Sequence, residues 1–257
     1  IILGLEISYF SLYHKNCYNT TMNILVFQHV AHEPVGLIGE YMNKKGIHLT
    51  VVELWKPYKI PPMNSFDALI IMGGPMGVYD GPDKFPSKED EINFIKNSLG
   101  KIPIIGFCLG SQLLAYVLGS EVKQNIINGK VKKEIGYYDV ALTDEGLKDP
   151  IFKNIPSPVK VLQWHGDAFT LPKDTVLLAS SPDCTNQAFR YGDKTYGMLF
   201  HNEFIPDMVN NLISIDHEWI HKDFSFDDKK VRQEAEEYKS QMEKQCSILM
   251  DNFLSLI

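Results

Sequence analysis

The stretch Ile102–Gly119, IPIIGFCLGSQLLAYVLG, passes from an apolar run to a helical pattern through Gly106-Phe107-Cys108-Leu109-Gly110. Buried cysteines are common and mostly inert, so the placement of this one needs a physical reason. A glycine two positions either side of the cysteine gives the G-x-S-x-G nucleophile elbow with sulfur in place of oxygen. A strand that turns abruptly into a helix strains its central residue, and flanking glycines let neighbouring backbone approach without Cβ clashes. The central side chain then protrudes at the carboxyl edge of a sheet, where open α/β sheets bind ligands. It also stands at a helix start, whose partial positive charge favours an anion. A structural cysteine would gain nothing from two glycines that weaken strand and helix alike. Cys108 is therefore expected to be a nucleophile.

Working outward, short β-rich runs alternate with longer amphipathic ones. NILVFQ, IHLTVVEL, FDALIIMGG and IPIIGF read as strands. EPVGLIGEYMNKKG reads as a helix ended by Gly46, SKEDEINFIKNSLGK as one capped by Ser87, and SQLLAYVLG as one closed by Gly119. Such alternation predicts an α/β fold with a mostly parallel sheet and helices on both faces. Beyond Gly119 the texture becomes turn-rich β (KEIGYYDVALT, VKVLQWHGDAF, TVLLASS, NQAFRYG, TYGMLFHNEF), which predicts a mixed or antiparallel extension of that sheet. The last segment, from Lys229 to Ile257, is helical by period. Val231, Ala235, Tyr238, Met242, Cys246, Leu249, Phe253 and Leu256 recur at steps of three and four, as on a helix packed against the sheet.

The 257 residues are 44% hydrophobic and 22% charged, with a net charge of −7. No block of basic residues marks a nucleic-acid or anionic membrane surface, and no apolar run reaches the roughly 20 residues that span a bilayer. Cys17, Cys108, Cys184 and Cys246 are scattered without a C-x-x-C pair, which predicts reduced thiols in a cytoplasmic protein. Met22 opens the first clean strand. Residues 1–21 are accordingly expected to be an extension outside the core, with 22–257 forming one domain.

A thiol nucleophile needs a base, and the base an orienting group. In YGMLFHNEF, His201 and Glu203 follow a strand-like run two positions apart, so in extended chain both point the same way. His-x-Glu alone is weak evidence, and it gains weight from the cysteine elbow upstream.

Taken together, the glycine loop MGGPMGVYD, the elbow GFCLGSQLLA and the pair in FHNEF resemble the class I (triad) glutamine amidotransferases. The similarity looks closest to stand-alone, GMP synthase-like members, and covers most of Met22 to about Pro206. It implies a flavodoxin-like, doubly wound fold and a Cys108, His201, Glu203 triad acting through a thioester, with no cofactor. It further implies an oxyanion hole from the N–H groups of Gly74 and Leu109, and substrate contacts from Gly73, Gln112 and His165. Asp167 is set between a site role and a surface turn. Asn202 departs from the family, which often carries Pro or an apolar residue there.

The implied substrate is glutamine or another γ-glutamyl amide. No S-G-G-x-D-S or G-x-x-x-x-G-K-[ST] loop occurs in these residues, so an ammonia acceptor is expected on a separate synthetase. Two alternatives stand beside this reading: a free-standing γ-glutamyl amide or peptide hydrolase, and a catalytically silent binding or regulatory protein. Two further motifs compete weakly. His217-Glu218-Trp219-Ile220-His221 spells the H-E-x-x-H zinc pattern, but no third ligand is marked, and no metal site is expected. His29 and His32 are read as hydrogen-bonded loop histidines.

Overall fold

A computed structural model describes residues 22–222 and 225–257; the expected extension, 1–21, lies outside the described residues. The first half runs β1 (Asn23–Gln28), α1 (Gly36–Lys45), β2 (His48–Glu53), β3 (Ala68–Ile71), α2 (Lys88–Ser98), β4 (Ile104–Phe107) and α3 (Leu109–Val117). Three short strands follow, β5 (Val122–Gln124), β6 (Ile126–Ile127) and β7 (Lys130–Val131). Then come β8 (Glu134–Leu142), β9 (Val159–His165), β10 (Asp167–Phe169), β11 (Thr175–Ser180), β12 (Ala188–Tyr191) and β13 (Thr195–Met198). Three helices close the chain: α4 (Pro206–Ile215), α5 (His217–His221) and α6 (Asp228–Leu254).

The main sheet has the order β2-β1-β3-β4-β13-β12-β11-β8-β9. Its first five strands pair in parallel, and from β13 to β9 every pairing is antiparallel. Parallel strands need crossovers, and α1 and α3 pack on opposite faces. Alternation along β1 shows how. Ile24 and Val26 join Ile38 and Met42 of α1 and Met242, Leu249 and Phe253 of α6 on one face. Leu25 and Phe27 join Ile92 and Ile95 of α2 and Leu113 of α3 on the other. The fold is thus the mostly parallel α/β one that the sequence pattern predicts, and the flavodoxin-like, doubly wound one that the resemblance implies, with an antiparallel extension beyond β13.

Local expectations mostly hold, with one difference. Gly46 ends α1 in the left-handed region, φ 70°. Ser87 precedes α2 without capping it: its hydroxyl donates to Glu91 Oε1 at 2.7 Å. Among the described residues Cys108, Cys184 and Cys246 are free thiols, and no helix is long and apolar enough to cross a membrane.

Candidate active site

Cys108 stands between β4 and α3 with φ 46° and ψ −107°, a backbone state that costs a non-glycine residue about 1–3 kcal/mol. The surrounding structure holds it there. Its N–H donates to the Met198 carbonyl at 2.8 Å, extending the β4–β13 ladder by one bond. A Cβ on Gly106 would lie 2.5 Å from the Gly110 carbonyl group, and one on Gly110 would collide with the Ile71 carbonyl oxygen. Both flanking glycines are therefore required by close backbone approach, as the sequence pattern implies.

His201 arrives just past β13, the strand paired with β4. It forms an antiparallel bridge with Leu162 of β9, its N–H donating at 2.8 Å and its carbonyl accepting at 3.1 Å. The ring Nδ1 lies 2.6 Å from Glu203 Oε1, and the other Glu203 oxygen accepts the Asn202 N–H at 2.9 Å. The second ring nitrogen is free of Glu203, and Cys108 is close enough for its charge to act on the ring. The chain bends at 202–203, so the carboxylate reaches the ring by that turn and not from an extended strand. Burial pushes the imidazole pKa down, but Glu203 and Cys108 outweigh it and hold His201 well above 6.5. Glu203 is itself anchored, because its carbonyl accepts the Leu37 N–H at 2.8 Å from the start of α1.

The thiol opens onto a cleft of about 470 Å³, lined also by Gly74, Gln112, His165, Asp167 and Trp219. Gln112 is a buried residue of α3 facing this space, not a solvated one. Gly74 packs close to Leu109: a Cβ on Gly74 would lie 3.1 Å from Leu109 Cδ2. Leu109 is the first residue of α3, where N–H groups have no intrahelical acceptor. The glycine loop is pinned from beneath. His29 Nδ1 bonds the Gly73 carbonyl at 3.0 Å, while its Nε2 meets Glu91 Oε2 at 2.9 Å. Burial lowers the His29 pKa, yet Glu91 and the Gly73 carbonyl raise it above the usual histidine value. His29 is thus a hydrogen-bonded histidine as expected, and it braces the loop.

Residues 35–214 match the family model for glutamine amidotransferase class-I, which is more than half of the chain. The chain belongs to that family. A glutamine amidotransferase-like protein of Salmonella typhimurium, YfeJ, is 31% identical over 75% of this chain and 80% of its own length. The glutamine-hydrolyzing GMP synthase subunit of Sulfolobus acidocaldarius is 30% identical over 62% of the chain and 79% of its own length. Against the GMP synthase of Borreliella burgdorferi, 26% identical, the chain spans about 33% of the longer protein. A glutamine amidotransferase structure from Thermotoga maritima superposes with TM-score 0.82 and 28% identity, over 91% of this chain and 98% of that one.

Within this member of the class-I family the remaining sequence-marked residues divide. The His165 ring is buried with Nδ1 at 3.0 Å from the Asp167 carbonyl and Nε2 3.1 Å from Glu134 Oε2, so both nitrogens face protein groups. It is the neighbouring backbone, the Trp164 carbonyl, that comes 3.8 Å from the thiol. Asp167 lines the cleft wall with Tyr79, and burial raises its carboxyl pKa against the opposing effect of Tyr79 and His165. The H-E-x-x-H residues form α5, and Asp228 supplies a third group that the sequence pattern does not mark. One ligand atom each from His217, His221 and Asp228 lies within 4.8 Å of the others, and His221 Nε2 bonds Asp228 Oδ1 at 2.9 Å, linking α5 to α6.

One site residue is not marked by the sequence motifs. Glu33, buried after β1, lines the same cleft as the thiol. Burial first, with Asp216 and Glu203 adding, raises its carboxyl to about 7 against the opposing pull of His201 and His29. The signal for it is position: HEPVG follows the first strand at the carboxyl edge of the sheet, where α/β folds gather their ligand contacts.

Proposed function

We propose that the protein hydrolyses the side-chain amide of glutamine through a thioester on Cys108 and passes the ammonia to a synthetase on a separate polypeptide. The observation that carries this is Cys108, held in a strained turn at a cleft with the His201 ring beside it, which Glu203 holds in turn. His201 takes the thiol proton as sulfur bonds to the amide carbon, and the carbonyl oxygen becomes an oxyanion. The N–H groups of Gly74 and Leu109 receive that charge; one such donor is typically worth about 2.7–4 kcal/mol. The C–N bond breaks as His201 gives its proton to nitrogen, and ammonia leaves. Water, deprotonated by His201, attacks the thioester; the C–S bond breaks, the thiol regains its proton and glutamate is released. Gln112 holds the glutamyl end, while Gly73 and the His165 segment shape the wall through backbone.

A relative that is one subunit of a GMP synthase supports a separate acceptor protein. The cleft volume favours a second reading, a free-standing hydrolase of larger γ-glutamyl amides, since about 470 Å³ lies in the range that encloses drug-sized ligands. The test is glutamate release from glutamine by the purified chain and by Cys108→Ala. Release abolished in the variant supports the thioester route. Equal release in both, or none from the wild type with or without a candidate synthetase, overturns it.

A further inference from the structure

Glu33 and Asp216 have no part in the hydrolytic steps, yet they stand where one product must depart. A Cβ built on Gly73 would lie 2.6 Å from Glu33 Oε2, 3.0 Å from His201 Cε1 and 3.7 Å from Cys108 Cβ. The carboxyl, the imidazole and the nucleophile therefore converge on one small volume. His201 must deliver its proton to the departing nitrogen, so that nitrogen sits beside the ring, on the side where Glu33 lies. Asp216 lines the same cleft with Oδ2 accepting from Trp164 Nε1 at 2.8 Å, and its charge acts on Glu33. Two cations, Lys84 and Lys133, also line this cleft, and each already has a partner. Lys84 pairs with Asp80 at 3.8 Å; Lys133 Nζ donates to the carbonyls of Trp219 and Lys222 and lies 4.8 Å over the Trp219 ring.

We propose that Glu33, with Asp216 beside it, forms the leaving-group subsite, accepting N–H bonds from the departing amine and rejecting γ-glutamyl amides whose amine carries a carboxylate. The inference rests on the hydrolytic reading above and narrows its substrate class. Ammonia and uncharged alkylamines are accepted as leaving groups, whereas at pH 8, where the Glu33 carboxyl is ionised, the amino acid of a γ-glutamyl peptide would bring a second anion against two carboxylates. Like charges repel, and more strongly beside a buried carboxylate such as Glu33 than in bulk water.

The discriminating pair is γ-glutamylglycinamide against γ-glutamylglycine, which differ at the leaving side only in that charge. Wild-type kcat/KM is expected to favour the amide at least about tenfold, and Glu33→Gln to shrink that ratio several-fold, with Asp216→Asn acting in the same direction. A wild-type ratio near one, or a ratio untouched by Glu33→Gln, overturns the subsite. Calorimetric binding of the same pair to Cys108→Ala reads the preference without turnover. A preference there with no hydrolysis by the wild type sinks the thioester reading and upholds the subsite; equal binding sinks the subsite whatever the turnover.

Discussion

In the proposed triad Glu203 touches His201 and not the reacting atoms, so replacing it would remove an orienting charge and leave the nucleophile. Glu203→Gln is expected to cut kcat by about 10²–10⁴, as triad orienters do, with Cys108→Ala falling to background. Equal losses from two folded variants would refute this division of roles. Glu33 carries a different cost. Its folded pKa, about 7, is raised from 4.5, so the folded state binds more protons than the unfolded chain between those values. Its contribution to stability therefore falls as pH rises through that window, by roughly 3 kcal/mol at most. The groups facing it are His201, His29 and His32 on the attractive side, and Asp216 and Glu203 on the repulsive side. Glu33→Gln should therefore melt higher than wild type at pH 8, with the gap narrowing toward pH 5. A gap of constant size across that range would contradict the ionisation argument.

The start of α1 works as a bracket for the base. Gly36 has φ 48°, and a Cβ there would strike the Glu203 carbonyl oxygen, which accepts the Leu37 N–H. Gly36→Ala is expected to displace Glu203 and lower kcat at least about tenfold while KM changes little, the mark of a positioning defect. An unchanged kcat would show that the bracket is dispensable. The contrast with the elbow explains what could be read in advance. Gly106 and Gly110 act within five residues of Cys108, so their spacing is visible in the chain, as are the strand and helix periods on either side. Gly36 and Glu33 act on residues more than 150 positions away, and only the folded sheet brings them together. Ser87 carried a capping signal, but a buried Glu91 within hydrogen-bond reach took its hydroxyl. The strand order β13-β12-β11-β8-β9 likewise follows from long-range pairing that turn-rich composition does not encode.

Across the whole molecule, burial sorts the thiols. Cys184 is pushed up to about 12, and Cys246, enclosed between α6 and the sheet, is raised still further by burial. Cys108 alone among these three lines the cleft. Iodoacetamide at pH 7.5 is expected to label Cys108 before Cys184 and Cys246, and alkylation of Cys108 to abolish glutamate release. Peptide mapping that found Cys184 or Cys246 modified at a comparable rate would contradict that ordering.

The last consequence comes from where β13 sits. It divides the parallel strands from the antiparallel ones, gives Cys108 its backbone acceptor at Met198, and leads directly into His201. A nascent polypeptide emerging from the ribosome presents the cysteine 93 positions before the histidine, with neither its acceptor nor its base yet made. On the proposed mechanism the sulfur is armed only when that strand threads between β4 and β12, so assembly of the sheet would double as a safety catch on a reactive group. A single proteolytic nick at the Gly192–Lys194 turn that let β13 slip out would release both holds at once.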